Sequence, residues 1–148
     1  MTDEHYMRLA LQEARKALEE DEVPVGAVIV SNDRIIGRGY NLVETLRDVT
    51  AHAEMQAITA ASETLGGKYL NECTAYVTVE PCAMCAAALG WAQIGRLVFG
   101  ASDDKKGFRK VYGSERGPLH PKTQITHGVL ADECALLMSD FFRNLRAR

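Results

Sequence analysis

What this chain lacks sets the first limits. No run of about 18 apolar residues occurs in it, so no segment reads as a membrane-spanning helix. The richest stretch, Cys82 to Ile94, is too short and contains Gln93. The opening segment, Met1 to Arg8, carries Asp3 and Glu4 and has no apolar block behind it, so it does not read as a signal peptide. A cytoplasmic protein with no membrane partner is expected. Cysteine is scarce, with four in 148 residues. A domain of this size buries about two thirds of its chain surface and needs no disulfide staples. Cys73 and Cys134 stand alone in apolar surroundings and read as small core residues, whereas Cys82 and Cys85 form a Cys-x-x-Cys pair, which in a cytosolic chain points to metal or redox chemistry. Repeats, low-complexity tracts and linkers are also missing, so residues 1–148 are expected to form a single domain.

What is present is an ordinary soluble balance, 47% apolar and 25% charged residues, with a net charge of −3. The charge is unevenly spread. Residues 1–100 hold 8 basic and 14 acidic side chains; residues 101–148 hold 9 basic and 6 acidic. Six bases (Lys105, Lys106, Arg109, Lys110, Arg116, Lys122) fall within 105–122 against one acid, Glu115. This is a basic footprint on an acidic body, readable as a solvated loop or as a surface for an anionic partner.

Periodicity supplies the elements. Met7, Leu11, Ala14 and Leu18 recur at helical spacing and predict a helix over 4–20, stopped by Pro24. Val25 to Val30 and Arg34 to Tyr40 flank Ser31-Asn32-Asp33 and predict a β-hairpin. Residues 41–50 read as loop. A helix over 52–64, with Met55, Ile58 and Ala61 on one face, ends at Gly66-Gly67. Thr74 to Val79 reads as a strand, Cys82 to Ala92 as a helix opened by Pro81, and Arg96 to Gly100 as a strand. Residues 101–122, with three glycines and two prolines, read as a long irregular loop, the kind that in a small domain is functional or mobile. Thr123 to Thr126 is a last strand, and Ala131 to Arg146 a closing helix with Leu136, Leu137, Phe141 and Leu145 as its apolar set. Helices alternating with strands predict an α/β fold, a three-layer α/β/α sandwich around a mixed five-stranded sheet.

Two fragments carry chemistry: Ala51-His52-Ala53-Glu54 and Glu80-Pro81-Cys82-Ala83-Met84-Cys85. One imidazole and two thiols are a zinc ligand set, and three protein ligands leave the fourth position of a catalytic site. Cys82 and Cys85, three apart at a helix start, can face one point, where the helix N-terminus favours thiolates. His52 and Glu54 are two apart, so they share a site only if His52 sits at the helix start in extended geometry. Glu54 is then free of ligation and available as a proton carrier. Such a site fits hydrolytic deamination of a nucleobase.

His-x-Glu followed by Pro-Cys-x-x-Cys resembles the signature of the cytidine/deoxycytidylate deaminase superfamily. The chain further resembles the bacterial tRNA-specific adenosine deaminases. That likeness runs through Glu22-Val23-Pro24-Val25-Gly26-Ala27-Val28, Gly39-Tyr40-Asn41, Phe99-Gly100-Ala101, Leu130-Ala131-Asp132-Glu133-Cys134 and Asp140-Phe141-Phe142. The resemblance implies conversion of adenosine to inosine at the wobble position of a tRNA anticodon, with one zinc ion per subunit in a homodimer. It implies zinc on His52, Cys82 and Cys85, catalysis by Glu54, and substrate contacts from Asn41, the Ala53 backbone, Val23, Asp103 and Phe142. Trp91 and the apolar stretch Ala86 to Ala92 are candidates for the subunit interface. A deaminase of a free base such as guanine or cytosine shares the zinc motif, and a non-catalytic zinc-binding subunit is a third reading. After Asp103 the family often has Gly-Ala-Ala-Gly-Ser; here Gly107-Phe108-Arg109-Lys110-Val111-Tyr112 is bulkier and more basic. Phe and Tyr can stack on splayed bases while Lys and Arg meet phosphates, so the change suits RNA.

Overall fold

A computed structural model describes residues 1–148. Helix α1 (Asp3–Glu19) is capped by Thr2, whose side chain accepts the His5 N–H at 3.1 Å, and carries Asp3 and Glu4 in its first turn, where the helix dipole favours acids. Strands β1 (Gly26–Ser31) and β2 (Arg34–Tyr40) form the expected hairpin. Its turn residues Asn32 and Asp33 both take positive φ, the conformation tight hairpins demand and these residue types tolerate.

Helix α3 (Ala53–Leu65) ends at Gly66, which has φ +72°. Strand β3 (Thr74–Val79), helix α4 (Ala83–Trp91), strand β4 (Arg96–Ala101), strand β5 (Gln124–His127) and helix α6 (Ala131–Arg146) follow as expected, within a residue or two. The sheet order is β2-β1-β3-β4-β5, antiparallel among β2, β1 and β3 and parallel from β3 to β5. Alternate residues of each central strand enter two cores. Ala27, Ile29, Ala75, Val77, Leu97 and Phe99 pack with the alanines of α3 and with Ala86 and Leu89 of α4. Val28, Val30, Tyr76 and Val98 pack with Tyr6, Met7, Ala10 and Leu11 of α1 and Cys134 of α6. The result is the three-layer α/β/α sandwich around a mixed five-stranded sheet.

Four local expectations need correction. Residues 41–50 contain a single helical turn, α2 (Val43–Leu46), and the 101–122 segment contains another, α5 (Phe108–Tyr112). Both are shorter than periodicity can register, and buried acids described below organise their surroundings. In α3 the buried stripe is Ala53, Ala57 and Ala61, with Met55 and Ile58 only half-buried. Small residues are needed there because a Cβ on Gly37 or Gly39 of β2 would strike the carbonyls of Ala57 and Ala53. In α6 the inward side is Cys134, Leu137 and Phe141, while Leu136 and Leu145 face solvent. Leu137 and Phe141 keep their expected place, and buried Cys134 completes the stripe one turn earlier.

Candidate active site

The ends of β1, β2, β3 and β4 nearest the N-termini of α3 and α4 enclose the chemistry. His52 precedes α3 with φ −74° and ψ 157°, and Cys82 precedes α4 with φ −70° and ψ 174°. Both are extended cap residues. The His52 geometry is the one its spacing from Glu54 requires: outside the helix, its ring turns to the side on which Glu54 emerges. Cys85 lies one turn into α4 and is fully buried. The His52 Nδ1 stands 3.6 Å from Cys82 Sγ and 3.4 Å from Cys85 Sγ. All three donor atoms lie within 4.8 Å of one another.

These distances fit zinc. Tetrahedral angles and ordinary zinc–ligand lengths place an imidazole nitrogen about 3.6 Å from a thiolate sulfur. One of the donors is already inclined to the thiolate form. The Cys82 thiol is held down to about 4, chiefly by the hydrogen bond from the Cys85 thiol and then by His52, so it is a thiolate at neutral pH. The same contact, with burial, pushes the Cys85 thiol up. The Cys82 hydrogen bond raises the His52 imidazole. Glu54 is 5% exposed, and burial pushes its carboxyl up to about 7. It stands beside the cluster without belonging to it.

The first 101 residues match the model of the cytidine and deoxycytidylate deaminase zinc-binding region, which includes every residue of this cluster. The chain belongs to this deaminase family. A tRNA-specific adenosine deaminase of Bacillus subtilis is 44% identical over 99% of this chain and 92% of its own length. A chloroplastic tRNA(adenine(34)) deaminase of Arabidopsis thaliana is 46% identical over 95% of this chain, which spans only 12% of that longer protein. Among solved structures, one from studies of A-to-I editing by tRNA:A34 deaminases at the wobble position superposes with a TM-score of 0.81 at 44% identity. It covers 90% of this chain and 98% of its own. A guanine deaminase from Nitrosomonas europaea superposes with a TM-score of 0.78 at 26% identity, covering 93% of this chain and 83% of its own. The site of the present deaminase binds zinc, and His52, Cys82 and Cys85 are positioned to hold it.

The expected substrate residues all line one cleft of about 880 Å³ with His52, Glu54 and Cys82: Val23, Asn41, Ala53, Asp103 and Phe142. Asn41 also serves its turn. Its side-chain amide donates to the Val23 carbonyl and its oxygen accepts the Val43 N–H, both at 3.3 Å. Asp103 accepts the N–H groups of Lys105 and Lys106 at 3.0 Å, closing a tight turn at the cleft rim. Phe142 is 38% exposed and rests edge-on against buried Phe141. Phe108 departs from expectation. It is fully buried, edge-on to Phe99, and is a core anchor unable to stack on a base.

Two acids of the deaminase went unrecognised in the sequence. Glu22, 1% exposed, accepts the Glu44 N–H at 3.1 Å, the Thr45 N–H at 2.6 Å and the Thr45 hydroxyl at 2.7 Å. Burial pushes its carboxyl up, but these donors outweigh burial and hold it below the usual range. It thereby fixes α2 beside Asn41. Glu80, 5% exposed, accepts the backbone N–H of Asp103 at 3.1 Å and of Arg109 at 3.0 Å, and pairs with the Arg109 guanidinium at 3.0 Å. Its carboxylate fills the space a side chain at Gly107 would need. Burial again opposes ionisation, and Arg109 and the two N–H groups again prevail. Both acids neighbour a proline in the apolar motif segments, Glu22-Val23-Pro24 and Glu80-Pro81. For Glu80 the available signal was an acid at the end of an apolar strand; Glu22 closes the acidic run Glu19-Glu20-Asp21-Glu22 and carried no such signal.

Proposed function

We propose that this protein hydrolytically deaminates adenosine to inosine at the wobble position of a tRNA anticodon. The observation that carries the reading is the one cleft lined by His52 and Cys82 of the zinc-ligand set, with Cys85 buried behind them, together with Glu54 and all five expected substrate residues. His52, Cys82 and Cys85 would hold the metal. Zinc, when bound, supplies a Lewis acid that brings the pKa of water towards 7. Glu54 performs the proton work. Its buried carboxylate would take one proton from the water that attacks C6 and deliver it to the ring N1, then take the second from the resulting C6 hydroxyl and pass it to the amine, so that C6=O forms as the C6–N bond breaks and ammonia leaves. The Ala53 N–H, in the first turn of α3, has no partner within its helix and is available to the base. Val23 and Phe142 supply apolar walls. Asn41 and Asp103 contact the flipped nucleotide and its neighbour. Residues 1–148 act as one deaminase domain.

The relatives named for tRNA substrates favour RNA, as does the basic 105–122 segment, with Lys105 and Lys106 lining the cleft. The guanine deaminase superposition supports a second reading, turnover of a free base in the same cleft. The deciding experiment supplies a tRNA transcript with adenosine at the wobble position and, in parallel, free guanine and cytosine. Inosine in the transcript supports the first reading. Ammonia released only from a free base moves the enzyme to the second.

The active form in this proposal is a cytoplasmic homodimer. No helix is long and apolar enough to cross a membrane. The chain leaves Trp91 84% exposed at the end of α4 and Val111 57% exposed on α5, large apolar side chains that a second copy would cover. Sedimentation equilibrium should give twice the 16.3 kDa chain mass, and Trp91→Glu should shift it towards the monomer.

A further inference from the structure

On the other side of Arg109 from the cleft lies a second cavity of about 510 Å³. Arg109, Arg116 and Lys122 line its wall and His127 contributes an imidazole; since Arg109 is paired with buried Glu80, Arg116 and Lys122 supply the uncompensated cations. Of its nine lining residues one is hydrophobic, so it is unsuited to an apolar ligand. The single acid, Glu115, stands at the rim with 79% of its side chain exposed, and its ion pair with Arg109 is long, at 3.6 Å. A hydrated rim carboxylate of this kind neutralises little.

The two guanidinium groups are held in place. Arg116 donates from one guanidinium nitrogen to the carbonyls of His120 at 2.7 Å and Thr123 at 2.8 Å. Arg109 lies over the face of Phe99, 5.1 Å from its centroid, and His127 stacks on the same ring at 5.4 Å. The Arg109 Nε is buried without a hydrogen-bond partner, the one such side-chain atom in the protein. Lys122 donates from its backbone N–H to His120, while its ammonium makes no ion pair or hydrogen bond. The pocket therefore combines anchored guanidinium groups with one unengaged cation.

We propose that this pocket binds a backbone phosphate of the RNA substrate, next to the nucleotides that enter the cleft. The proposal rests on the RNA reading given above and adds the place where the backbone is gripped. Continuity with the cleft favours RNA over an acidic protein. Arg109 donates to Glu80 at 3.0 Å and to Ser102 at 2.8 Å, both cleft-lining residues, so one guanidinium separates the two cavities. Lys105, Lys106 and Arg146 line the cleft, so basic side chains stand in both cavities. Guanidinium groups beside an unpaired ammonium are an ordinary means of binding a phosphate diester.

The test uses the zinc-loaded full chain and a fluorescent anticodon stem-loop RNA with adenosine at the wobble position. Binding is followed by anisotropy from low to moderate salt for the wild type, Lys122→Glu and Lys122→Arg. Removing one phosphate contact lowers the slope of log Kd against log salt by about 1 and weakens binding about tenfold, evenly across RNA sequences. Lys122→Glu is expected to do both, and Lys122→Arg to restore both. Because Lys122 is exposed and its ammonium has no partner within the chain, the melting temperature should stay the same. An unchanged slope in Lys122→Glu overturns the proposal. Inorganic phosphate provides the second arm. If it shifts the His127 imidazole resonances while the RNA slope is unchanged by Lys122→Glu, the pocket serves free phosphate and the RNA assignment is wrong. Inosine formation by the wild type is measured first. Its absence removes the RNA reading and this inference together, whereas inosine with an unaltered slope removes the pocket alone.

Discussion

The Glu80 carboxylate, nearly sealed from solvent, stands 3.0 Å from the Arg109 guanidinium twenty-nine residues later. It holds the Arg109 and Asp103 backbone N–H groups as well. Since Glu80 lies two residues before Cys82, the strand that leads into the metal ligands also clamps the loop that carries Asp103. Arg109→Ala removes the only cation on a buried carboxylate. Loss of about 3 kcal/mol is expected, read as a lower midpoint in urea at unchanged slope. Substrate affinity should fall as the loop loosens. A midpoint equal to that of the wild type would show that the backbone donors alone hold Glu80.

Glu54 and the zinc ligands should separate in their effects. Glu54→Gln keeps the shape of the cleft and removes the proton carrier, so kcat should fall by at least about a hundredfold while zinc content remains one per chain. Cys82→Ala removes a ligand, and zinc content itself should drop, measured by elemental analysis after dialysis. Near-normal deamination by Glu54→Ala would defeat the proposed proton route.

Gly39 sits on β2 against the first turns of α3, where a Cβ would collide with the Ala53 carbonyl and crowd the Ala57 N–H. Gly39→Ala must therefore lift α3, the helix that carries His52 and Glu54, off the sheet. The expected cost is about 2 kcal/mol, typical of overpacking in a filled core, accompanied by weaker zinc retention in a competition with a chelator. Gly67→Ala is the control, because nothing lies near that position.

The acid limb of stability should report on Asp3. Its carboxylate receives two hydrogen bonds from Arg96, both 2.7 Å, and one from the Tyr76 hydroxyl at 2.8 Å. The Arg96 guanidinium outweighs partial burial and holds the carboxyl below its ordinary value. A carboxyl with a depressed folded pKa stabilises fully above its unfolded value, about 3.9, and loses that contribution as pH falls through the folded value. Asp3→Asn should therefore cost about 1 kcal/mol at pH 7, and progressively less as pH falls below about 3.9. Urea midpoints across that range check the sign.

The catalytic core was readable from the chain alone because it is built from local rules. A His two residues before a Glu, and a Cys-x-x-Cys after a proline, each need a helix start, and the flanking strands and helices announce themselves by period. Hence α1, the β1–β2 hairpin, α3 and α4 stood in the sequence almost to the residue, along with the His52, Cys82 and Cys85 cluster. Only the tertiary structure decided what depends on contacts distant in sequence. The sheet order, the use of Glu22 and Glu80 as internal anchors, the burial of Phe108 and the division of the basic segment between a clamp at Arg109 and an open pocket at Lys122 have no periodic signature. A carboxylate on a solvated surface and one that fastens two loops are the same letter, and they differ only in which N–H groups the fold brings to them.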